Sequence, residues 1–289
     1  MPITPARVAL LTLLSVCAFA ANSLLCRAAL HHTTIDATSF TAARLAAGAL
    51  MLLATLRFRP IRTLGPRPGW ISETALFVYA AGFSLAYLQL PAGIGALLLI
   101  GAVQTTMIGY GLSTGEKLRP LQILGLALAF GGFVALLRPG LAAPPLLGSL
   151  CMAAAGIGWG IYSLRGRGYR GNPTVATAWN FLGAAPLALA TLVVDHARLH
   201  WDPTGFTLAL LSGALTSALG YILWYTALPH LAATQAAIVQ LSVPILTAAG
   251  GILFLGEPLT LRLALTAAAI LTGIALVLIK RRPHSPQGT

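Results

Sequence analysis

The sequence predicts an all-α integral membrane protein of ten transmembrane helices, built as two inverted five-helix repeats around a central cavity. Three observations lead to this prediction: a shortage of charge, long apolar runs and an internal repeat. Of the 289 residues, 57% are hydrophobic and only 8% are charged, whereas a soluble domain carries about a quarter charged residues. The mean hydropathy is +0.83. Because lipid offers no hydrogen-bond partners, backbone groups there are satisfied only within helices or closed barrels, and runs of about 20 apolar residues favour helices.

Ten apolar runs follow one another along the chain, and eight of the nine short connections between them contain proline or glycine, the residues that most often end helices. The first run continues to Leu30, which is too long for a cleaved signal peptide. The predicted helices span residues 8–30, 37–56, 70–90, 92–113, 119–138, 145–165, 174–194, 205–228, 231–255 and 260–279.

The second half of the chain repeats the first at an offset of 141 residues. Gly115-Glu116 corresponds to Gly256-Glu257, and the same offset relates Phe40 to Phe181. We therefore expect a first repeat over residues 1–140, a second over 141–283 and a disordered tail over 284–289. Because each repeat crosses the membrane five times, the second enters it upside down, an arrangement typical of transporters with a site near mid-bilayer.

The net charge of +12 would suggest a nucleic-acid partner in a soluble protein. Here the basic residues lie in short connections between apolar runs, so we expect a lipid bilayer and no nucleic acid as partner. With the N-terminus inside, thirteen basic residues fall on the inner side, including Lys280 to Arg282. Both termini are then predicted to be cytoplasmic. Four basic residues fall on the outer side: Arg27, Arg138, Arg198 and Arg262.

Three amide side chains lie near the middle of predicted helices: Asn22, Gln104 and Gln240. An amide without a partner in hydrocarbon costs about 1–3 kcal/mol. Each therefore either lines a wet cavity or bonds a neighbouring helix. The sequence leaves both alternatives open.

Aromatic residues form a second candidate set. Helical spacing places Tyr79, Phe83 and Tyr87 on one face of the third helix, and Trp159 and Tyr162 share a face of the sixth. Tyr and Trp near helix ends usually belong to the interfacial belt, and we expect this of Trp70, Trp201, Tyr87 and Tyr225. Residues at greater depth are predicted to line a substrate path: Tyr79, Phe83, Trp159 and Tyr221.

Candidate hinge positions are Pro244, Gly156 and Gly160. Pro244 interrupts the ninth helix beside Gln240, because proline lacks the N–H that the helix needs. The two glycines have the spacing that allows close helix contact. Static packing and a moving contact both fit this pattern.

The six acidic residues lie at or near helix ends, and histidine is absent from the depths of the helices. Ion-coupled transporters usually hold an ionisable group inside the membrane, so we expect weak or no ion coupling. Arg44 lies within the second helix, where it points to the cavity or extends outward to the interface; the outward position is favoured. The sequence suggests neither a metal nor another cofactor, and its three cysteines fit as packing residues.

The order of these features resembles the drug/metabolite transporter superfamily, in particular its ten-helix EamA-type branch. The residues that carry the resemblance are Phe40, Arg44, Gly115-Glu116, Tyr221, Ala227-Leu228, Pro244 and Gly256-Glu257-Pro258-Leu259. Within this branch, Leu90 to Ala96 and Gly101 to Gln104 look like the YddG-type aromatic amino-acid exporters. The resemblance implies an exporter of the bacterial inner membrane, with a central cavity for aromatic amino acids or related metabolites.

Three functions remain open at this point. The first is an alternating-access exporter of amino acids or amphipathic metabolites, acting as a monomer or weak homodimer on a small-molecule substrate. Its predicted substrate contacts are Asn22, Tyr79, Phe83, Gln104, Trp159, Tyr162, Tyr221 and Gln240. The second is a proton-coupled exporter of drugs or cationic metabolites, which would need a buried carboxylate. The third is a membrane enzyme or structural partner; an enzyme would need an acid, base or nucleophile at depth.

Overall fold

The computed structural model describes residues 4–58, 66–115, 117–138, 143–169, 171–231 and 239–278. Within these ranges the chain folds into ten apolar helices, which confirms the predicted class. They are α1 (Pro5–His32), α2 (Ala37–Phe58), α3 (Trp70–Tyr87), α4 (Ala92–Ser113), α5 (Pro120–Leu137), α6 (Leu146–Arg167), α7 (Pro173–Val194), α8 (Pro203–Leu211, Ser212–Leu219 and Gly220–Ala227), α9 (Ser242–Leu255) and α10 (Leu261–Leu278).

Eight of the described helical segments are long and apolar enough to cross a membrane. The other two are α3, which contains Glu73, and α9, which has 14 described residues. Described helix ends lie within three residues of the predicted ones. The predicted start of the ninth helix lies beside residues 232–238, which are outside the described residues, as are Glu116, Lys280 to Arg282 and the tail 284–289.

Local sequence explains where several helices begin and end. Proline occupies the first position of α1, α5, α7 and α8, where its missing N–H is no loss. The Asn172 Oδ1 atom accepts from the Thr174 N–H of α7 at 2.9 Å, and Asp202 caps α8 in the same way. After α9, Gly256 has a φ of 65°, a left-handed conformation that glycine adopts without steric cost.

Helix packing has the two-fold pattern that the repeat predicts. Helix α6 packs against α3 and α4, and its counterpart α1 packs against α8 and α9. Helix α2 packs against its counterpart α7, and α5 against α10. Exchange of each helix with the one five places along therefore preserves these contacts. The first helix of each repeat lies between helices of the other repeat, so the repeats form one interlocked bundle; the boundaries at 140 and 283 stay a prediction.

Glycines allow this close packing of α6. A Cβ atom on Gly158 would lie 2.8 Å from the Ala75 carbonyl oxygen of α3. On the side facing α4, a Cβ atom on Gly156 would lie 2.7 Å from the Leu99 carbonyl oxygen, and one on Gly160 would lie 2.8 Å from Thr106 Cβ. The predicted hinge glycines are thus contact points between the two repeats.

Helices α5 and α10 meet at Gly125 and Gly273. A Cβ atom on Gly125 would lie 2.6 Å from the Gly273 carbonyl oxygen, whereas one on Gly131, also in α5, would meet nothing within 4 Å. A comparison of alanine substitutions at Gly125 and Gly131 therefore distinguishes the effect of the helix contact from the intrinsic cost of glycine in a helix.

We expect Gly125→Ala to lower the free energy of unfolding by about 1–3 kcal/mol, because the added methyl group forces α5 and α10 apart. Gly131→Ala should be neutral or stabilising by up to about 1 kcal/mol, since alanine favours the helix and the site is open. Denaturation of the purified variants in detergent measures both. Equal stability of the two variants would contradict this account of the α5–α10 contact.

Candidate functional site

A cavity lies where the two repeats meet. Its wall is contributed by α1, α3 and α4 from the first repeat and by α6, α8 and the start of α9 from the second, so it follows the two-fold pattern of the fold. Its volume is about 50 Å³, room for roughly four water molecules. The lining residues are Phe19, Asn22, Ser23, Tyr79, Phe83, Ala96, Leu99, Ile100, Val103, Trp159, Tyr221, Gln240 and Val243.

Six of the eight predicted substrate contacts lie on this one wall: Asn22, Tyr79, Phe83, Trp159, Tyr221 and Gln240. Gln104 does not line it; it is buried in α4 beside Val103, which does. Tyr162 lies behind the wall, with its ring centroid 5.4 Å from that of Trp159. Helical periodicity brought the right helix faces together but could not separate wall residues from those one layer behind.

The aromatic side of the wall is a continuous cluster centred on Trp159. Its ring centroid lies 4.9 Å from that of Tyr79 and 5.0 Å from that of Tyr221. Phe19, which the sequence did not single out, packs edge-on against Trp159 at 6.3 Å. Such an apolar, polarisable surface suits the apolar part of a solute.

The polar side of the wall is organised by Asn22. Its Oδ1 atom accepts from the Ser212 hydroxyl at 2.7 Å and the Thr216 hydroxyl at 3.1 Å, while its Nδ2 atom donates to the Tyr79 hydroxyl at 3.3 Å. Asn22 therefore both lines the cavity and joins α1 to α3 and α8. The two alternatives that the sequence left open for this residue are both realised.

A π-helical segment of α8, Ser212–Leu219, makes this network possible. Its wider turn aligns residues four and five apart, so Ser212, Thr216 and Ser217 all face Asn22. The sequence predicted an unbroken helix here and missed the three hydroxyl residues. Their spacing was the available signal, but serine and threonine also occur in membrane helices as simple packing residues.

The position of the Arg44 side chain differs from the one that the sequence favoured. The favoured prediction placed its side chain at the membrane interface, but the residue is only 1% exposed. Its Nη2 atom donates to the Tyr79 hydroxyl at 3.2 Å, and its Cζ atom lies 5.1 Å from the Phe83 ring centroid. The guanidinium thus lies directly behind the cavity wall.

Pro244 interrupts the ninth helix, as predicted. Residues 239 and 240 are helical, Leu241 forms a turn, and α9 starts at Ser242. Proline has no N–H for the carbonyl of Gln240 four residues earlier, and the Ser242 hydroxyl donates to the Val239 carbonyl at 2.6 Å. Two cavity residues, Gln240 and Val243, flank this break. In α7, by contrast, the helix continues through Pro186.

An ion pair of Arg27 with Glu257 lies beyond one end of the cavity. The Arg27 Nε atom lies 3.0 Å from Glu257 Oε1, and the two side chains are 8% and 13% exposed. Arg27 also donates to the Tyr87 carbonyl at 2.9 Å, and Glu257 accepts from the Ala92 N–H at 2.8 Å. Arg27 therefore lies within the bundle and not in an outer connection, and Tyr87 is fully buried and not part of an interfacial belt.

This ion pair lies one helical turn beyond the cavity. Arg27 follows the lining residue Ser23 by four positions on α1, Tyr87 follows Phe83 on α3, and Ala92 precedes Ala96 on α4; four residues rise about 6 Å. Because Glu257 belongs to the second repeat, this ion pair joins the two repeats.

A second ion pair lies at the opposite end of α3. The Arg67 Nε atom donates to Glu73 Oε1 at 2.7 Å, and this carboxylate raises the pKa of the exposed Arg67. Arg165 of α6 donates to the Ser72 hydroxyl at 2.9 Å. The Arg165–Ser72 contact attaches α6 to the start of α3.

Comparisons with known proteins agree with this architecture. The model of the EamA-like transporter family matches residues 146–279, the part of the chain from α6 to the end of α10. A solved crystal structure with 18% identity has a TM-score of 0.69 and covers 94% of this chain and 96% of its own. An uncharacterized protein of Pseudomonas aeruginosa is 54% identical over 95% of this chain and 96% of its own length.

The chain belongs to the EamA-like transporter family. Two further relatives have names that describe transport. The threonine/homoserine exporter RhtA of Salmonella typhimurium is 28% identical over 88% of this chain and 86% of its own length. A probable amino-acid metabolite efflux pump of Escherichia coli is 26% identical over 78% of this chain and 84% of its own length. This EamA-family protein is thus a multi-pass membrane transporter.

For the ion pair of Arg27 with Glu257, we expect Arg27→Met to lower the free energy of unfolding by about 3–5 kcal/mol, because the largely buried Glu257 carboxylate would remain charged without its partner. The double variant Arg27→Met, Glu257→Met should recover most of this loss. Arg198→Met, at an exposed arginine, is the control and should be neutral. Denaturation in detergent measures all three, and a double variant less stable than the single one would contradict the pairing.

Proposed function

We propose that this EamA-family protein exports amino acids or related amphipathic metabolites across the bacterial inner membrane by alternating access. The observation that carries the proposal is the cavity at the junction of the two repeats. It combines an aromatic surface around Trp159 with amide groups from Asn22 and Gln240. Such a wall matches a solute with one apolar and one polar part.

The names of the relatives support the same class of cargo. RhtA is described as a threonine/homoserine exporter, and the Escherichia coli relative as a probable amino-acid metabolite efflux pump. The aromatic wall favours larger side chains than those of threonine and homoserine, in line with the resemblance to YddG-type aromatic amino-acid exporters. We propose that both termini are cytoplasmic and that a monomer or weak homodimer suffices, since one chain supplies the whole cavity wall.

Alternating access requires that the two repeats move relative to each other. A cavity of about 50 Å³ is too small for an amino acid, so helices or side chains move when the substrate enters. One closing contact is the ion pair of Arg27 with Glu257, which joins the repeats and must break when that end opens. The helix break at Pro244 and the tight contacts of Gly156 and Gly160 with α4 are the candidate points of movement.

Weak or no ion coupling is part of the proposal. Within the described residues, the cavity wall holds neither a carboxylate nor an imidazole, the groups that usually carry coupled protons. The carboxylate of the buried Glu73 and that of Glu257, whose side chain is 13% exposed, are each engaged by an arginine. Transport would then follow the gradient of the solute, without a cofactor.

The transport proposal is tested by counterflow of labelled phenylalanine and threonine in proteoliposomes. We expect Trp159→Ala to lower the flux about tenfold, because an aromatic contact with the substrate contributes about 1 kcal/mol or more, and Gln240→Ala to lower it as well. Matched controls are Trp201→Ala and Gln89→Ala, at exposed positions outside the cavity. If both cavity variants carried a confirmed wild-type flux unchanged, the site assignment would be wrong.

The coupling proposal is tested in the same proteoliposomes with a fixed gradient of the amino acid. We expect a protonophore to leave the initial flux within about twofold of its untreated value, because the described wall has no group that exchanges a proton. Valinomycin with potassium serves as the control for membrane potential. A flux that collapses when only the proton gradient is removed contradicts the proposal.

A further inference from the structure

Arg44 is a buried positive charge without an acidic partner in the described part of the chain. Its Nε atom donates to the Ser217 hydroxyl at 3.3 Å and its Nη2 atom to the Tyr79 hydroxyl at 3.2 Å. The third nitrogen, Nη1, is buried and makes no hydrogen bond to the described residues. By contrast, Arg27 and Arg67 are each paired with a carboxylate. A buried charge persists when something compensates it.

Two tyrosine hydroxyl groups near Arg44 also have a hydrogen for which the described residues provide no acceptor. The Tyr79 oxygen accepts from Arg44 and from Asn22, so its own hydrogen remains to be donated, and among the described residues no acceptor takes it. The Tyr221 hydroxyl is buried without a described partner. The Asn22 Oδ1 atom, an acceptor in the same network, already accepts from Ser212, Thr216 and Ser217.

The two hydroxyls belong to residues of the cavity wall, and the guanidinium lies directly behind it. Tyr79 and Tyr221 line the cavity, and the Arg44 Cζ atom is 5.2 Å from the Tyr79 ring centroid. The Tyr221 hydroxyl is buried, so a ligand reaches these hydroxyls as the cavity widens to admit it, and the positive charge lies one layer further back. Only an acceptor can satisfy unused donors, and an ionised carboxylate accepts several hydrogen bonds while compensating the charge.

We propose that Tyr79 and Tyr221 bind the carboxylate group of the transported metabolite and that Arg44 provides the compensating charge. The proposal rests on the proposed function for the identity of the cargo and adds its selectivity: anions and zwitterions are accepted, and purely cationic compounds are rejected. The like charge of Arg44 disfavours a cation in the cavity, because electrostatic repulsion is weakly screened in a low-dielectric site. Arg44 acts here as a positioning residue, since it reaches the substrate through Tyr79.

Calorimetric binding to the purified protein in detergent tests the site with three probes: phenylalanine, phenylalaninamide and 3-phenylpropionate. We expect the wild type to bind phenylalanine at least about tenfold more tightly than the amide, which lacks the negative charge. The propionate, which lacks the amino group, should bind within about tenfold of phenylalanine if the carboxylate is the recognised group. Equal affinity for phenylalanine and its amide would overturn the proposal.

Tyr221→Phe is the sharpest variant, because its hydroxyl makes no hydrogen bond to the described residues. If the Tyr221 hydroxyl did not contact the substrate, its removal would leave the affinity for all three probes unchanged. We expect the affinity for phenylalanine and for the propionate to fall about tenfold, with the affinity for the amide unchanged. The matched control is Thr247→Val, which removes another buried, unpartnered hydroxyl away from the cavity and should change none of the affinities.

Arg44→Gln should lower the affinity for both acids more than tenfold, whereas Arg44→Lys, which keeps the charge, should restore part of it. A parallel loss of affinity for acid and amide would indicate a purely structural role and overturn the proposal. If Arg44→Gln fails to fold, Tyr221→Phe alone decides.

The outcomes distinguish this proposal from the proposed function. Binding of the propionate without binding or flux of amino acids would refute the proposed function but not the carboxylate site. Amino-acid flux with equal affinity for phenylalanine and its amide would refute the carboxylate site but not the proposed function. If neither phenylalanine nor the propionate binds, both proposals are refuted.

Discussion

The close approach of helices from opposite repeats is the constraint on which the rest of the structure depends. Without a hydrophobic force between helices in lipid, membrane helices associate through tight packing, and small residues make that possible. Gly156 and Gly158 place α6 against α4 and α3, and a Cβ atom on Gly250 would lie 2.4 Å from Leu24 of α1. Because the first helix of each repeat is held by the other repeat, helices of both repeats enclose the cavity at their junction.

The fold is two-fold symmetric, but the chemistry of the cavity is not. At the offset of 141 residues, Asn22 corresponds to Ser163, Arg44 to Ala185 and Val103 to Pro244. The buried guanidinium therefore comes from the first repeat and the helix break from the second. The π-helical segment, which also belongs to the second repeat, brings three hydroxyls to Asn22. The shared helix packing of the two repeats thus forms the scaffold, and the residues in which they differ provide the polar side and the helix break.

The buried charges separate into two classes by their partners. Arg27 and Glu257 neutralise each other and also form hydrogen bonds with backbone groups at the ends of α3 and α4. Their burial is therefore explained by the contact that they make between the two repeats. Arg44 is the opposite case, because its described partners are hydroxyls and aromatic rings. A charge that the fold leaves uncompensated next to a cavity is better explained by a ligand than by packing.

The sequence by itself determined the membrane class, the number of helices, the ends of those that the structure describes in full and the symmetric plan, because these follow from composition, run length and repetition. Periodicity also placed Asn22, Tyr79 and Trp159 on faces that meet. Only the tertiary structure decided that Arg44 is buried and that Arg27 pairs with Glu257. Both depend on contacts between residues far apart in the chain, which no local pattern contains. The π-helical segment of α8 could not be predicted either, because its serine and threonine residues are compatible with an ordinary α-helix. Their role is seen only from their hydrogen bonds to Asn22 on α1.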